Sequence, residues 1–127
     1  MKVPTLAVLM VCSGCSDACR NSVVSRNLSP DGKHVAVLFQ RDCGGTTDFS
    51  TQISVTNVGS NPSGSGNTFI ADGDHGAARV ESWGGSWAET QWLSANRLLV
   101  RYAAKSRLFK QNEQVSDVSI TYQMVVR

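Results

Sequence analysis

The sequence predicts an all-β fold, a small antiparallel sandwich or partly open barrel of about six or seven strands. Three observations lead there. Thr51–Thr56 (TQISVT) and Val118–Met124 (VSITYQM) alternate apolar and polar residues, the period of a half-buried strand. Past the first nineteen residues, no 3.6-residue period persists over three turns. Asp72-Gly73 and Gly84-Gly85 interrupt the two windows in which a helix might otherwise form.

The chain starts with Met1-Lys2 and then runs VPTLAVLMV from Val3 to Val11. As a helix these nine residues would span about 14 Å, less than half the hydrocarbon core of a bilayer. That is too short to anchor the protein and suits the apolar region of a secretory signal peptide, expected over residues 1–14. A buried N-terminal strand is the alternative use of the same side chains. Cys12-Ser13-Gly14-Cys15 resembles the lipobox of bacterial lipoproteins. The resemblance implies cleavage before Cys15 and its acylation with palmitate-type chains. Ser16 rather than Asp after the cysteine implies the outer membrane, with the protein facing the periplasm. Cys12 stands where that motif usually has Leu; the register ending at Cys12 has Leu9 but bulky Met10 and Val11 where small residues belong.

With Cys12 cleaved away and Cys15 acylated, Cys19 and Cys43 remain, and an oxidising envelope would join them. The closed loop of about 25 residues would contribute roughly 3–3.5 kcal/mol through loop-closure entropy. A zinc site would need paired C-x-x-C motifs, or histidines at ligand spacing from the cysteines, and His34 and His75 do not stand in such a pattern. Neither a metal nor a cofactor is expected.

Residues 15–27 are polar and read as a lipid-anchored tether, leaving 28–127 as one β domain. Leu28–Lys33 (LSPDGK) is a turn, with Pro30 fixing one backbone angle and Gly32 allowing a positive one. His34–Phe39 (HVAVLF) follows as a strand that is apolar on both faces. In Thr51–Thr56, Ile53 and Val55 share one face, and Gln52 and Ser54 the other. Residues 59–66 (GSNPSGSG) read as a flexible loop into a short Asn67–Ile70 strand. Leu98–Tyr102 is a further strand, and Arg107–Gln114 is expected to pair with Val118–Met124 as a hairpin. Leu28–Phe39 and Leu93–Tyr102 echo each other and resemble the strand-turn-strand unit of propeller blades. A propeller needs at least four blades, at about 40 residues each, which exceeds this chain.

Arg41–Thr51 (RDCGGTTDFST) resembles a family of small uncharacterised bacterial envelope proteins sharing an R-D-C-G-x-T-T-x-F-S-T core. That resemblance implies an envelope domain and carries no activity.

Twelve Lys and Arg against ten Asp and Glu leave +2, too weak a field for a nucleic-acid partner. Cys43 beside Gly44-Gly45, with His75 as base, is the one arrangement that suggests a thiol enzyme or hydrolase; half of a disulfide is the competing role. Asp72-Gly-Asp-His-Gly76 resembles a calcium loop, but counting from Asp72 the fifth and twelfth positions are Gly76 and Trp83, not ligands. Trp83, Trp87 and Trp92 fall within ten residues, and Gly84-Gly85 turns the chain between the first two. They can pack a small core, or form an aromatic surface with Arg79, Arg97 or Arg101 that faces a glycan or a protein. The expected function is therefore a non-enzymatic envelope lipoprotein that binds or supports a periplasmic partner through Trp83, Trp87, Arg79 and Arg101. A small thiol enzyme using Cys43 and His75, and an inhibitor or immunity protein against a cell-wall enzyme, are the alternatives.

Overall fold

The computed structural model describes residues 19–44 and 49–126. The expected signal peptide, Cys12, the expected acylation site Cys15 and the start of the expected tether lie outside the described residues. So do the glycine-threonine residues 45–47 after Cys43. No helix occurs among the described residues. They form nine strands: β1 (Arg20–Leu28), β2 (His34–Asp42), β3 (Ser50–Asn57), β4 (Phe69–Asp72), β5 (Ala88–Ser94), β6 (Arg97–Ala103), β7 (Arg107–Gln111), β8 (Gln114–Val115) and β9 (Val118–Val125).

These strands make two sheets, in the orders β1-β2-β3-β4-β7 and β5-β6-β9-β8. Every pairing is antiparallel except β6 with β9, which run parallel. The sheets pack on one another and do not close into a barrel. The period of two explains the core between them. Ala36, Leu38, Ile53, Val55, Phe69 and Ala71 face inward from the first sheet, and Ala88, Leu98, Val100, Val118 and Ile120 from the second. Phe69 lies at its centre, 5.6 Å from the ring of Tyr102 and 6.0 Å from that of Tyr122.

β2 is apolar on both faces because both faces are covered. Val35, Val37 and Phe39 form a second buried cluster on the outer side, opposite Thr56, Ser54 and Gln52 of β3. The glycine-serine segment expected to be flexible lies over this face, bonded on both sides of β2. The Asn21 amide donates to the Pro62 and Gly64 oxygens at 3.1 and 3.0 Å. Gly66 N donates to Gln52 Oε1 at 2.7 Å, and Asn67 N to Ser54 Oγ at 3.1 Å. The Asn67 side chain then pairs with both backbone groups of Val55, prolonging the sheet where β4 has not yet begun.

Two expectations change. Residues 20–27, read as the end of a tether, form β1 with Leu28 and pair along β2. A disulfide joins Cys19, just before β1, to Cys43, just after β2. Of the Arg107–Gln114 segment expected to form a hairpin with β9, Gln114 pairs there as part of β8, whereas Arg107–Gln111 crosses to the first sheet and pairs with β4. The chain leaves its own sheet at the turn after β6, in which Lys105 takes φ 71°. Val118–Val125 can then return parallel to β6, because parallel neighbours require such a crossover.

This crossover makes the two long sides of the sandwich unlike. On the β7 side the chain itself passes between the sheets, before β7 and again after it. There the Tyr122 hydroxyl shares its proton between the oxygens of Asn112 at 2.6 Å and Thr68 at 3.0 Å. Burial, with Glu113 nearby, pushes that phenol up, so it keeps its proton. On the β1–β5 side the sheets are joined by side chains. Asn27 Nδ2 donates to the backbone oxygen of Thr90 at 3.0 Å, and Trp92 Nε1 to the oxygen of Asn27 at 2.7 Å. His34 of β2 meets Asp117, which precedes β9, at 2.8 Å.

Candidate functional site

Residues 79–87 form a narrow loop leading into β5. Val80 and Ser86 make an isolated bridge, and inside it Glu81 N bonds to Gly85 O and Gly84 N to Glu81 O, each at 2.9 Å. Two glycines are needed at its tip. Gly84 holds φ 90°, and a Cβ there would lie 2.5 Å from the Phe49 ring; one on Gly85 would lie 2.4 Å from Thr51 Oγ1. The loop is also pinned to the first sheet. Thr51 Oγ1 donates to Ser86 O at 2.6 Å, and the Gln40 amide to Trp83 O at 2.5 Å.

This geometry gives the three tryptophans different places. Trp83 packs against the core, its Nε1 3.4 Å from Thr51 Oγ1. Trp92, in β5, also packs against the core. Trp87 is half-buried and stands apart from that cluster. Arg79 lies over its ring at 5.3 Å from the centroid and Arg101 at 6.0 Å. Each guanidinium is held by a carboxylate: Arg79 Nε by Glu81 at 2.9 Å, and Arg101 Nη1 by Glu89 at 2.6 Å. Arg101 Nε also donates to Gln123 Oε1 at 3.1 Å. The result is a row of carboxylate, guanidinium, indole, guanidinium and carboxylate.

The structure thus brings Arg79, Arg101 and Trp87 together. Trp83 borders the same surface from the other side, lining a groove of about 360 Å³ with Trp87, Leu38 and Ala88. Arg97 does not join them. It starts β6, about four residues or 13 Å along the strand from Arg101. Glu81 and Glu89 are the site residues that the sequence reading missed. Glu81 stands two residues after Arg79 and on its side of an extended chain, so that signal was present. Glu89 meets Arg101 only through the β5–β6 register, which the sequence does not state.

The other candidate chemistry is drawn differently. Cys43 is bonded to Cys19 and offers no thiol to act with His75, which lies exposed at φ 56°. Asp72 is not a solvated turn residue. It is buried, and it takes Arg107 through two bonds, Nη2 to Oδ2 at 2.6 Å and Nε to Oδ1 at 3.1 Å. Burial would raise the Asp72 carboxyl. Arg107 and the Asp74 amide outweigh it and hold the group below its ordinary value. The chain matches no family model, no curated protein and no solved structure.

Proposed function

We propose that this chain is an envelope lipoprotein, acylated at Cys15 and facing the periplasm from the outer membrane, whose β-sandwich binds a protein partner through the surface around Trp87. The observation that carries the binding role is the state of that indole. It is half-buried outside the core, and two carboxylate-paired guanidiniums stand 5.3 and 6.0 Å from its ring centroid. An aromatic ring beside arginines is the composition of interface hot spots. The guanidiniums engage the π surface on which a sugar would stack, which favours a protein over a glycan. The Cys19–Cys43 disulfide supports an oxidising compartment.

Two measurements test this reading. Labelled fatty acid should enter the wild-type protein and not Cys15→Ser; labelling lost instead in Cys12→Ser would move the lipid to the other register. Envelope partners cross-linked to the wild-type protein should be lost in Trp87→Ala and kept in Arg97→Ala. Equal capture by the two variants would place the binding surface elsewhere.

A further inference from the structure

Beside Trp87, on the side away from Trp83, lies a small pocket of about 140 Å³. Its walls are the indole with Ala103, Ala104, Val125 and Val126, and Arg79 and Lys105 stand at it; none of the residues lining it is acidic. We propose that this pocket receives the C-terminal carboxylate of a peptide ending in a small apolar residue. The inference rests on the reading of the Trp87 surface as partner-facing, and names the chemistry that surface takes.

Charge and size both point to that ligand. Glu81, which is not among the lining residues, meets the Arg79 charge at 2.9 Å, so the exposed Lys105 ammonium leaves one net positive charge at the pocket, and that favours an anion. Arg79 uses Nε for Glu81, and a guanidinium has five N–H donors, so the same side chain can also address a carboxylate. Lys105 is brought to the rim by a backbone that side-chain-bearing residues rarely adopt, φ 71°, in a turn fixed by Ala104 N to Val125 O at 2.9 Å. The volume equals that of about four or five waters. A terminal alanine offers five heavy atoms in its Cα, Cβ and carboxylate. A phosphate would need more donors than two side chains and would leave the alanine and valine walls unused.

The test is titration of the full chain, with its indole nitrogens labelled, by N-acetyl-Ala-Ala and by its C-terminal amide. Three indole N–H signals are expected, assigned with Trp→Phe variants. The free acid should move the Trp87 signal and leave those of Trp83 and Trp92 in place. The amide should bind about tenfold more weakly or worse, having lost a charge-assisted hydrogen bond. Lys105→Gln should weaken the acid to a similar degree, with unchanged Trp83 and Trp92 signals showing that it folds. Equal binding of acid and amide, no movement of Trp87, or an equal response to inorganic phosphate would each overturn the proposal. Partner capture that stays sensitive to Trp87→Ala in that case would leave the broader reading standing and remove only the carboxylate. Since the titration needs no lipid, a failed acylation experiment leaves its outcome unaffected.

Discussion

The indole nitrogen of Trp92 donates to the backbone oxygen of Asn27 across 2.7 Å, joining an edge strand of one sheet to an edge strand of the other. Asn27 reciprocates through its amide, which bonds to the oxygen of Thr90 at 3.0 Å. Trp92→Ala should therefore cost about 3–5 kcal/mol, by removing both a packed ring and the bond. Trp92→Phe should cost less, near 1 kcal/mol for the bond, with some further loss of packing. Urea midpoints of the two variants check the order.

Trp87→Ala should behave differently. The ring lies outside the main core, so its loss should cost under about 2 kcal/mol while weakening partner binding. A loss matching that of Trp92→Ala would make Trp87 a packing residue and leave the surface without its anchor.

The disulfide offers a third measurement. Reduction opens a loop whose ends are 24 residues apart and should lower stability by about 2–4 kcal/mol. The paired variant Cys19→Ser with Cys43→Ser should melt where the reduced protein does.

Asp72 predicts acid sensitivity. Its carboxyl is held below the ordinary value by Arg107 and the Asp74 amide, against the effect of burial. A depressed carboxyl contributes stability that is fully present above its unfolded value and is lost as pH falls through the folded one. Between pH 5 and pH 7 this pair should thus contribute a constant amount. Below about pH 4 the contribution should fade in the wild type, and Asp72→Asn should remove that part of the acid dependence. Urea melts across this range show whether the two curves converge on the acid side.

Gly66 should tolerate no side chain. A Cβ there would lie 2.8 Å from the Ile53 oxygen and 3.0 Å from the Phe69 oxygen, both backbone atoms that side-chain repacking cannot move. Gly66→Ala should cost about 1–3 kcal/mol. Gly64→Ala, where the added carbon meets nothing within 4 Å, is the matched control and should be near neutral.

Four strands were legible from the sequence pattern: β2, β3, β6 and β9 all stand where alternation or an apolar run placed them. β1 was not, because RNSVVSRNL carries its apolar residues without alternation. Its register shifts between Val23 and Ser25, and a bulge erases the period that sequence reading depends on. The pairing of β7 was illegible for another reason. Its alternation is good, but its partner β4 lies far away in the sequence, and residue types alone do not state that pairing. In the candidate site, Trp87 with Arg79 and Arg101 could be named from residue types alone. The difference between Trp83 and Trp87 could not. It follows from which indole the loop turns back toward Thr51, a contact between residues 32 positions apart.

The Cys19–Cys43 bond also sets how the domain carries mechanical load. β1 is an edge strand, and tension on the segment before it would ordinarily unzip it one pair at a time, starting with Arg20 and Asp42. The covalent bridge sits ahead of that first pair. A pull from the N-terminal side therefore bypasses β1 and reaches the end of β2, which has a hydrogen-bonded neighbour on each side. Peeling is replaced by loading of an interior strand, where many bonds must yield together, so the oxidised domain can be tugged by its leading end without losing its edge.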